Sequence, residues 1–291
     1  MPDRPISVRY EDEKHAYMLN TEEGGFEPCP GVTTILGETE PKDALGWWGM
    51  RVGMAAAVRM MREVSWAQVA NCADPAHIVD VALLTAEEQY FSKSDRRKEK
   101  PKSMIEKWTV DNKVSVNHLK DEAADRGTSV HAVLEALALD RVPSIDEFPV
   151  EQHGWVAGVN QWWLDQDPEI LESELIVGSR LHWFAGRFDA IVRYPDGRRV
   201  LLDLKTSKWV YRSHAKQLAM YELAHLEMGG EPVDAKEVLQ VSRDGSYQLV
   251  QSLYTPALVI PTIAMYHADQ QAEQLHKRLP VSPFPSRRKW S

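Results

Sequence analysis

Asp203 and Lys205 stand two residues apart in Val-Leu-Leu-Asp-Leu-Lys (200–205), whose first five positions hold four apolar residues. Following the turn Tyr-Pro-Asp-Gly (194–197), this pattern predicts a buried strand, on which residues two apart share a face. The carboxylate and the ammonium therefore point the same way. Burying both is costly unless they serve each other or a ligand, so they form either an ion pair at a strand end or part of a site. Asp189, after Gly186-Arg-Phe on the preceding predicted strand, can meet Asp203 at a neighbouring position. His131 can come from an upstream helix within Arg-Gly-Thr-Ser-Val-His-Ala-Val-Leu-Glu (126–135). With a helix start near Thr128 or Ser129, both suited to an N-cap, His131 and Glu135 fall four apart on one face. Two carboxylates, an imidazole and main-chain carbonyl oxygen suit Mg²⁺ or Mn²⁺, hard or borderline ions that keep waters for chemistry. Phosphodiester cleavage uses such equipment: the ion acidifies water and offsets phosphate charge, while a nearby ammonium holds the nucleophile or helps deprotonate it.

The elements that must position these groups read as an α/β order. A charged hairpin is expected over 6–19 and a polar turn over 20–25. The stretch 30–36 is short and β-branched, 43–64 is a buried helix, and 67–84 is weaker helix. The run 92–107 is basic, with Arg96, Arg97, Lys98 and Lys100 at its centre. It is either a solvated loop or a phosphate-contacting one. Helix is expected over 111–139, a linker over 141–149, and an amphipathic helix over 152–164 whose tryptophans serve packing. Strands at 170–177, 182–193 and 200–205 have short connections and predict an antiparallel meander. A helix over 211–228 stops at Gly229-Gly230, a strand pair at 237–241 and 247–253 follows, and a last helix covers 256–279. His182 and His214 have no partner pattern and read as surface or satisfied core histidines.

The 291 residues are 43% hydrophobic and 26% charged, the balance of a soluble globular chain. A net charge of −9 excludes coating of nucleic acid by bulk electrostatics but leaves room for a local basic track. The two cysteines, Cys29 and Cys72, build neither a disulfide framework nor a four-cysteine zinc or iron–sulfur site. No stretch approaches a membrane span and no leader is visible, so a cytoplasmic protein without a membrane partner is expected.

Four motifs in order, Arg-Gly-Thr-x-x-His-x-x-x-Glu (126–135), Gly-x-x-Asp (186–189), Asp-x-Lys (203–205) and Gln-x-x-x-Tyr (217–221), with helix, three strands and helix between them, resemble the PD-(D/E)xK nuclease superfamily. The branch most similar is the RecB-like exonucleases, including CRISPR-associated and phage-encoded ones. The likeness covers roughly residues 122–253, and 30–36 resembles the opening strand of phage nucleases of this kind. It implies a central mixed sheet flanked by helices in a single nuclease domain over 1–291. Within it, 1–121 would be an N-terminal helical elaboration, 122–253 the catalytic core, and 254–291 a C-terminal helix and basic tail.

By position, the resemblance implies that Asp189 and Asp203 ligate metal, that His131 completes the site and that the Leu204 main-chain carbonyl contributes. Lys205 would act on the water. Gln217 and Tyr221 would orient the lysine or contact DNA. Glu135 is a further candidate, as is Glu174 on the first core strand, where the family often places an acid; Glu172 is an equal neighbour by alternation. One departure is plain: many RecB-like members carry a four-cysteine iron–sulfur cluster, and this chain lacks the cysteines for one.

The expected activity is metal-dependent DNA exonuclease cleavage in recombination, repair or phage DNA processing, with a recombination or annealing protein as a conceivable partner. The alternatives are a catalytically inactive nuclease fold that binds DNA or serves as a structural subunit, and a metal phosphohydrolase acting on something other than nucleic acid.

Overall fold

The computed structural model describes residues 5–40 and 116–278. The chain divides into two units, Met1–Glu40 with Ser129–Ser291, and Pro41–Thr128. The helices expected at 43–64 and 67–84, the basic run with Arg96, Arg97, Lys98 and Lys100, and the tail with Arg287 to Lys289 lie outside the described residues. In chain order the elements are β1 (Val8–Glu11), β2 (Ala16–Asn20), β3 (Phe26–Cys29), α1 (Val32–Thr39), α2 (Val116–Leu137) and α3 (His153–Gln166). They continue as β4 (Glu169–Ser179), β5 (Phe184–Arg193), β6 (Arg199–Lys205), α4 (Arg212–Glu227), β7 (Ala235–Val241), β8 (Tyr247–Gln251) and α5 (Pro256–Arg278). Of the second unit, the described part is the opening half of α2.

The first unit is an α/β arrangement around a mixed five-stranded sheet in the order β4-β5-β6-β7-β8. β4, β5 and β6 form the expected antiparallel meander. The β5–β6 turn closes through Gly197 at φ 89°, while the Asp196 carboxylate accepts from the Arg198 amide at 3.0 Å. The crossover through α4 brings β7 parallel to β6, and β8 returns antiparallel. Every residue of β7 is buried, as a strand covered on both faces must be.

Helices cover both faces. One core gathers Ile35 and Leu36 of α1, Phe188, Ile191 and Leu201 of the sheet, Leu218 and Met220 of α4, and Val259 of α5. The other joins Val130, Val133, Leu134 and Leu137 of α2 to Val156, Val159 and Trp162 of α3 over Val192, Val200, Leu202 and Leu239. Trp162 and Leu134 are fully buried, and each such side chain contributes about 1.5–3 kcal/mol.

Four expectations are corrected. The β-branched stretch 30–36 opens a helix, α1, because Val32, Ile35 and Leu36 at i, i+3 and i+4 make one buried face. Only Gly31 keeps strand character, in an isolated parallel bridge to Ala185. Thr128 and Ser129 do not cap a helix, since α2 is continuous from Val116 and the Thr128 hydroxyl donates back to the Ala124 carbonyl at 3.1 Å. The second core strand starts at Phe184, since the His182 amide donates to the Ser179 hydroxyl at 3.0 Å in a turn and Trp183 takes φ 51°. The N-terminal hairpin gains a third strand, β3, paired with β2. No described helix is long and apolar enough to cross a membrane.

Candidate metal centre

The site lies where two strands part. β5 and β6 pair from Arg193↔Arg199 to Ala190↔Leu202, and there the ladder ends. In place of the next main-chain partner, the Asp189 carboxylate accepts the Leu204 amide at 2.6 Å. One residue earlier on β6, Asp203 is wholly buried with Lys205 Nζ at 2.7 Å from its Oδ2. This ion pair is the partner of Asp203 Oδ2, while Oδ1 has no hydrogen-bond partner among the described residues. A buried carboxylate with one oxygen unpartnered is costly even when an ammonium balances its charge.

On the side of β4, Glu174 sits in the gap between the pairs Ser173↔Ala190 and Leu175↔Phe188, opposite Asp189. It adopts φ 51°, a left-handed conformation costing a non-glycine residue about 1–3 kcal/mol, which the surrounding pairing holds in place. α2 delivers His131, whose Nδ1 is 3.3 Å from Asp189 Oδ1 and 3.6 Å from Glu174 Oε1. His131, Glu174 and Asp189 offer ligand atoms that all lie within 4.8 Å of one another. One imidazole nitrogen and two carboxylates at this spacing fit a small divalent ion of hard or borderline character, and the Lys205-paired Asp203 carboxylate lies on the adjoining strand.

The electrostatics follow from the crowding of acids. Burial alone would lower the His131 pKa, but donation from its ring to the Asp189 and Glu174 carboxylates overcomes it and holds the imidazole up at about 10. Burial likewise works against the Asp189 charge, yet His131, Lys205 and the Leu204 amide keep its carboxyl below the ordinary value. For Asp203 burial wins: even with Lys205 pulling down, its pKa stands at about 6, with Asp189 adding repulsion. Burial would strip the Lys205 proton, but Asp203 and Asp189 hold it above the ordinary lysine value. His214 is pushed down to about 4, by burial first and then by the Lys205 charge.

Around these groups, Gln217 Nε2 donates to the Tyr221 hydroxyl at 2.8 Å. Tyr221 is buried, within electrostatic reach of Asp203 and Asp189. A Cβ added at Gly186 would stand 2.6 Å from Tyr221 Cε1, so the glycine of Gly-x-x-Asp and the tyrosine of Gln-x-x-x-Tyr are two halves of one contact.

The structure thus brings His131, Glu174, Asp189, Asp203 and Lys205 to one place, with Gln217 and Tyr221 beneath. Leu204 touches the site through its amide. Glu135 is exposed, a turn further along α2, and stands outside the group. Glu172 instead faces Arg199, 4.0 Å away. Two residues escape a reading of the sequence. Arg187 places a guanidinium nitrogen 3.6 Å from Glu174 Oε2, and its signal is available, since alternation puts it two residues before Asp189 on the same face. Tyr17 of β2 lies within electrostatic reach: burial raises its pKa and the Arg187 charge pulls against it. Nothing in the sequence ties so distant a strand to the site.

No protein-family model matches the chain, and no curated protein matches it. Among solved structures, a match is to one described as "Crystal structure of SSO0001", at 18% identity over 52% of this chain and 72% of that chain. Its TM-score of 0.29 is too low to carry weight.

Proposed function

We propose that this protein is a metal-dependent deoxyribonuclease of the PD-(D/E)xK type, from the RecB-like branch without the iron–sulfur cysteines, degrading DNA from an end. Recombination, repair or phage DNA processing would be its setting. The observation that carries the reading is the junction where β5 and β6 separate, with Asp189, Asp203 and Lys205 on the two strands and His131 and Glu174 closing over them. His131, Glu174 and Asp189 would hold Mg²⁺ or Mn²⁺, with Asp203 beside them. When bound, such an ion acidifies water and offsets the charge of the scissile phosphate.

The chain's own groups have definable tasks. Lys205, whose pKa is raised against burial by Asp203 and Asp189, is placed to orient the nucleophile and meet charge developing on phosphate oxygen. Asp203 fixes that ammonium. Arg187, with its side chain 43% exposed beside Glu174, offers a second cation for bidentate contact with phosphate. Tyr221 keeps its proton, since burial and the nearby Asp203 raise its pKa well above ordinary, and it holds Gln217 in place.

The test is a digestion time course with Mn²⁺ on 5′- and 3′-labelled linear duplex and single strands beside a closed circle. Loss of end label with the circle intact is expected. Absence of cleavage on all of them, with turnover of a small phosphate ester, would replace this reading with a phosphohydrolase.

A further inference from the structure

Four residues beyond Lys205, the connection from β6 to α4 presents Trp209, 62% exposed, and Tyr211, 45% exposed. Rings so exposed contribute little to the core. The segment that carries them is nevertheless tied down. Gln240 of β7, itself buried, donates from Nε2 to the Ser207 carbonyl at 2.8 Å and the Lys208 carbonyl at 3.3 Å, while its Oε1 accepts from Gln248. The Ser207 hydroxyl donates to the Trp209 carbonyl at 2.8 Å. The Tyr211 amide donates to His214 Nδ1 at 3.3 Å, with the two rings edge to face. A buried side chain of the central sheet is thus committed to holding the backbone beneath an exposed tryptophan.

Charge accompanies the ring. Lys208 Nζ lies 5.4 Å from the Trp209 ring centroid, and Lys208 and Arg212 are both exposed. An exposed aromatic ring with an ammonium over one face matches a nucleotide, whose base stacks on the ring while its phosphate pairs with the cation. The chain between Lys205 and Trp209 spans at most about 14 Å, so the nucleotide concerned lies close to the bond that Lys205 addresses.

We infer that Trp209, with Lys208, is a stacking platform for an unpaired base near the scissile phosphate, so that the strand entering the site is single-stranded there. A base inside a duplex has both faces covered by its neighbours and has none to give the ring; only the terminal pair has an open face, so equal affinity of wild type for a blunt duplex end and for the single strand would overturn the single-stranded form. This inference rests on the nuclease reading above and adds the form of the substrate to it. Trp209 acts as a positioning residue: it holds the strand and leaves the chemistry to the groups around Asp203.

The test is a cycle between ring and base. Affinities of wild type, Trp209→Ala and Trp209→Phe are measured in Ca²⁺ for a short labelled single strand, and for a set of the same strands each lacking one base near the end. Cleavage of the same strands is followed in Mn²⁺. Trp209→Ala should weaken binding of the intact strand roughly five- to a hundredfold, with Trp209→Phe recovering most of it. On the strand lacking the stacked base, wild type and Trp209→Ala should bind alike. Equal binding of the intact strand by wild type and Trp209→Ala, or the same loss on every strand whichever base is missing, would overturn the platform while cleavage by wild type left the nuclease reading standing. Failure of wild type to bind or cut any DNA would overturn both.

Discussion

Asp203 and His131 both have raised pKa values, and their effects on stability have the same sign. A group whose folded pKa is raised stabilises the protein fully below its unfolded value and loses that contribution as pH rises through the folded value. For Asp203 the window runs from the ordinary 3.8 to about 6, and for His131 from 6.5 to about 10. Asp189, whose pKa is lowered, adds stability above the ordinary aspartate value and is already complete in this range. His214, pushed down to about 4, does the reverse and adds stability as pH rises from about 4 to 6.5, offsetting the Asp203 loss. Measured in chelator, the metal-free protein should therefore lose melting temperature chiefly above pH 6.5, and Asp203→Asn should instead gain melting temperature between pH 4 and 6.5 and melt higher than wild type at pH 8. The same variant should lose at least about a hundredfold in cleavage, with its fold intact by circular dichroism. Wild-type rates for Asp203→Asn in Mn²⁺ would remove the role given to Asp203, that of fixing the Lys205 ammonium. At His131, ion and proton compete for one nitrogen. Binding Mn²⁺ near neutral pH should release about one proton, read by calorimetry in buffers of different ionisation enthalpy. Affinity should climb about tenfold per pH unit, and His131→Ala should abolish the release.

At the scale of elements, the packing of β5 on α4 makes a prediction that does not involve catalysis. Gly186→Ala drives a methyl into the Tyr221 ring and into Val32 of α1, and should cost roughly 1–3 kcal/mol by denaturant titration. Adding Tyr221→Leu should return part of that loss. If the two changes add independently, the packing of these elements is not as described. Much of this arrangement is legible in the sequence. The meander, the crossover helix and the last strand pair follow from alternation, from the turns at Gly197 and Gly245, and from the Gly229 stop. The stretch 30–36 reads as strand because β-branched residues favour strands locally, while Val32, Ile35 and Leu36 obey a helical spacing that only a tertiary face rewards. Glu174 cannot be separated from Glu172 by pattern, since both share a face; the gap opposite Asp189 and the left-handed backbone decide between them, and neither leaves a mark in composition.

Across the whole molecule, an excess of nine negative charges means that attraction to DNA must come from local basic surface. The sequence concentrates cations in 92–107, ahead of the helix that carries His131. Changing Arg96, Arg97, Lys98 and Lys100 together to alanine should weaken DNA binding in Ca²⁺. It should also lower the dependence of log affinity on log salt by roughly 0.7–0.9 for each phosphate that is no longer neutralised. An unchanged slope would make the run a solvated connection and leave Arg187, Lys208 and Arg212 as the cations nearest the strand.

The bridge between Gly31 and Ala185, with the Ala185 amide donating to the Pro30 carbonyl at 3.0 Å, also sets an order in time. Closing a loop costs more entropy the longer it is, and the β4 to β8 strands are joined by far shorter connections than the chain between positions 31 and 185. The five-stranded sheet should therefore assemble first and the N-terminal strands dock onto it afterwards. During synthesis at about 5–20 residues per second, the segment up to position 40 waits roughly seven to thirty seconds for the strand that receives it. Val32, which packs over Gly186 and the Tyr221 ring, arrives with that docking, so a nascent chain should carry no finished site until most of its length has left the ribosome.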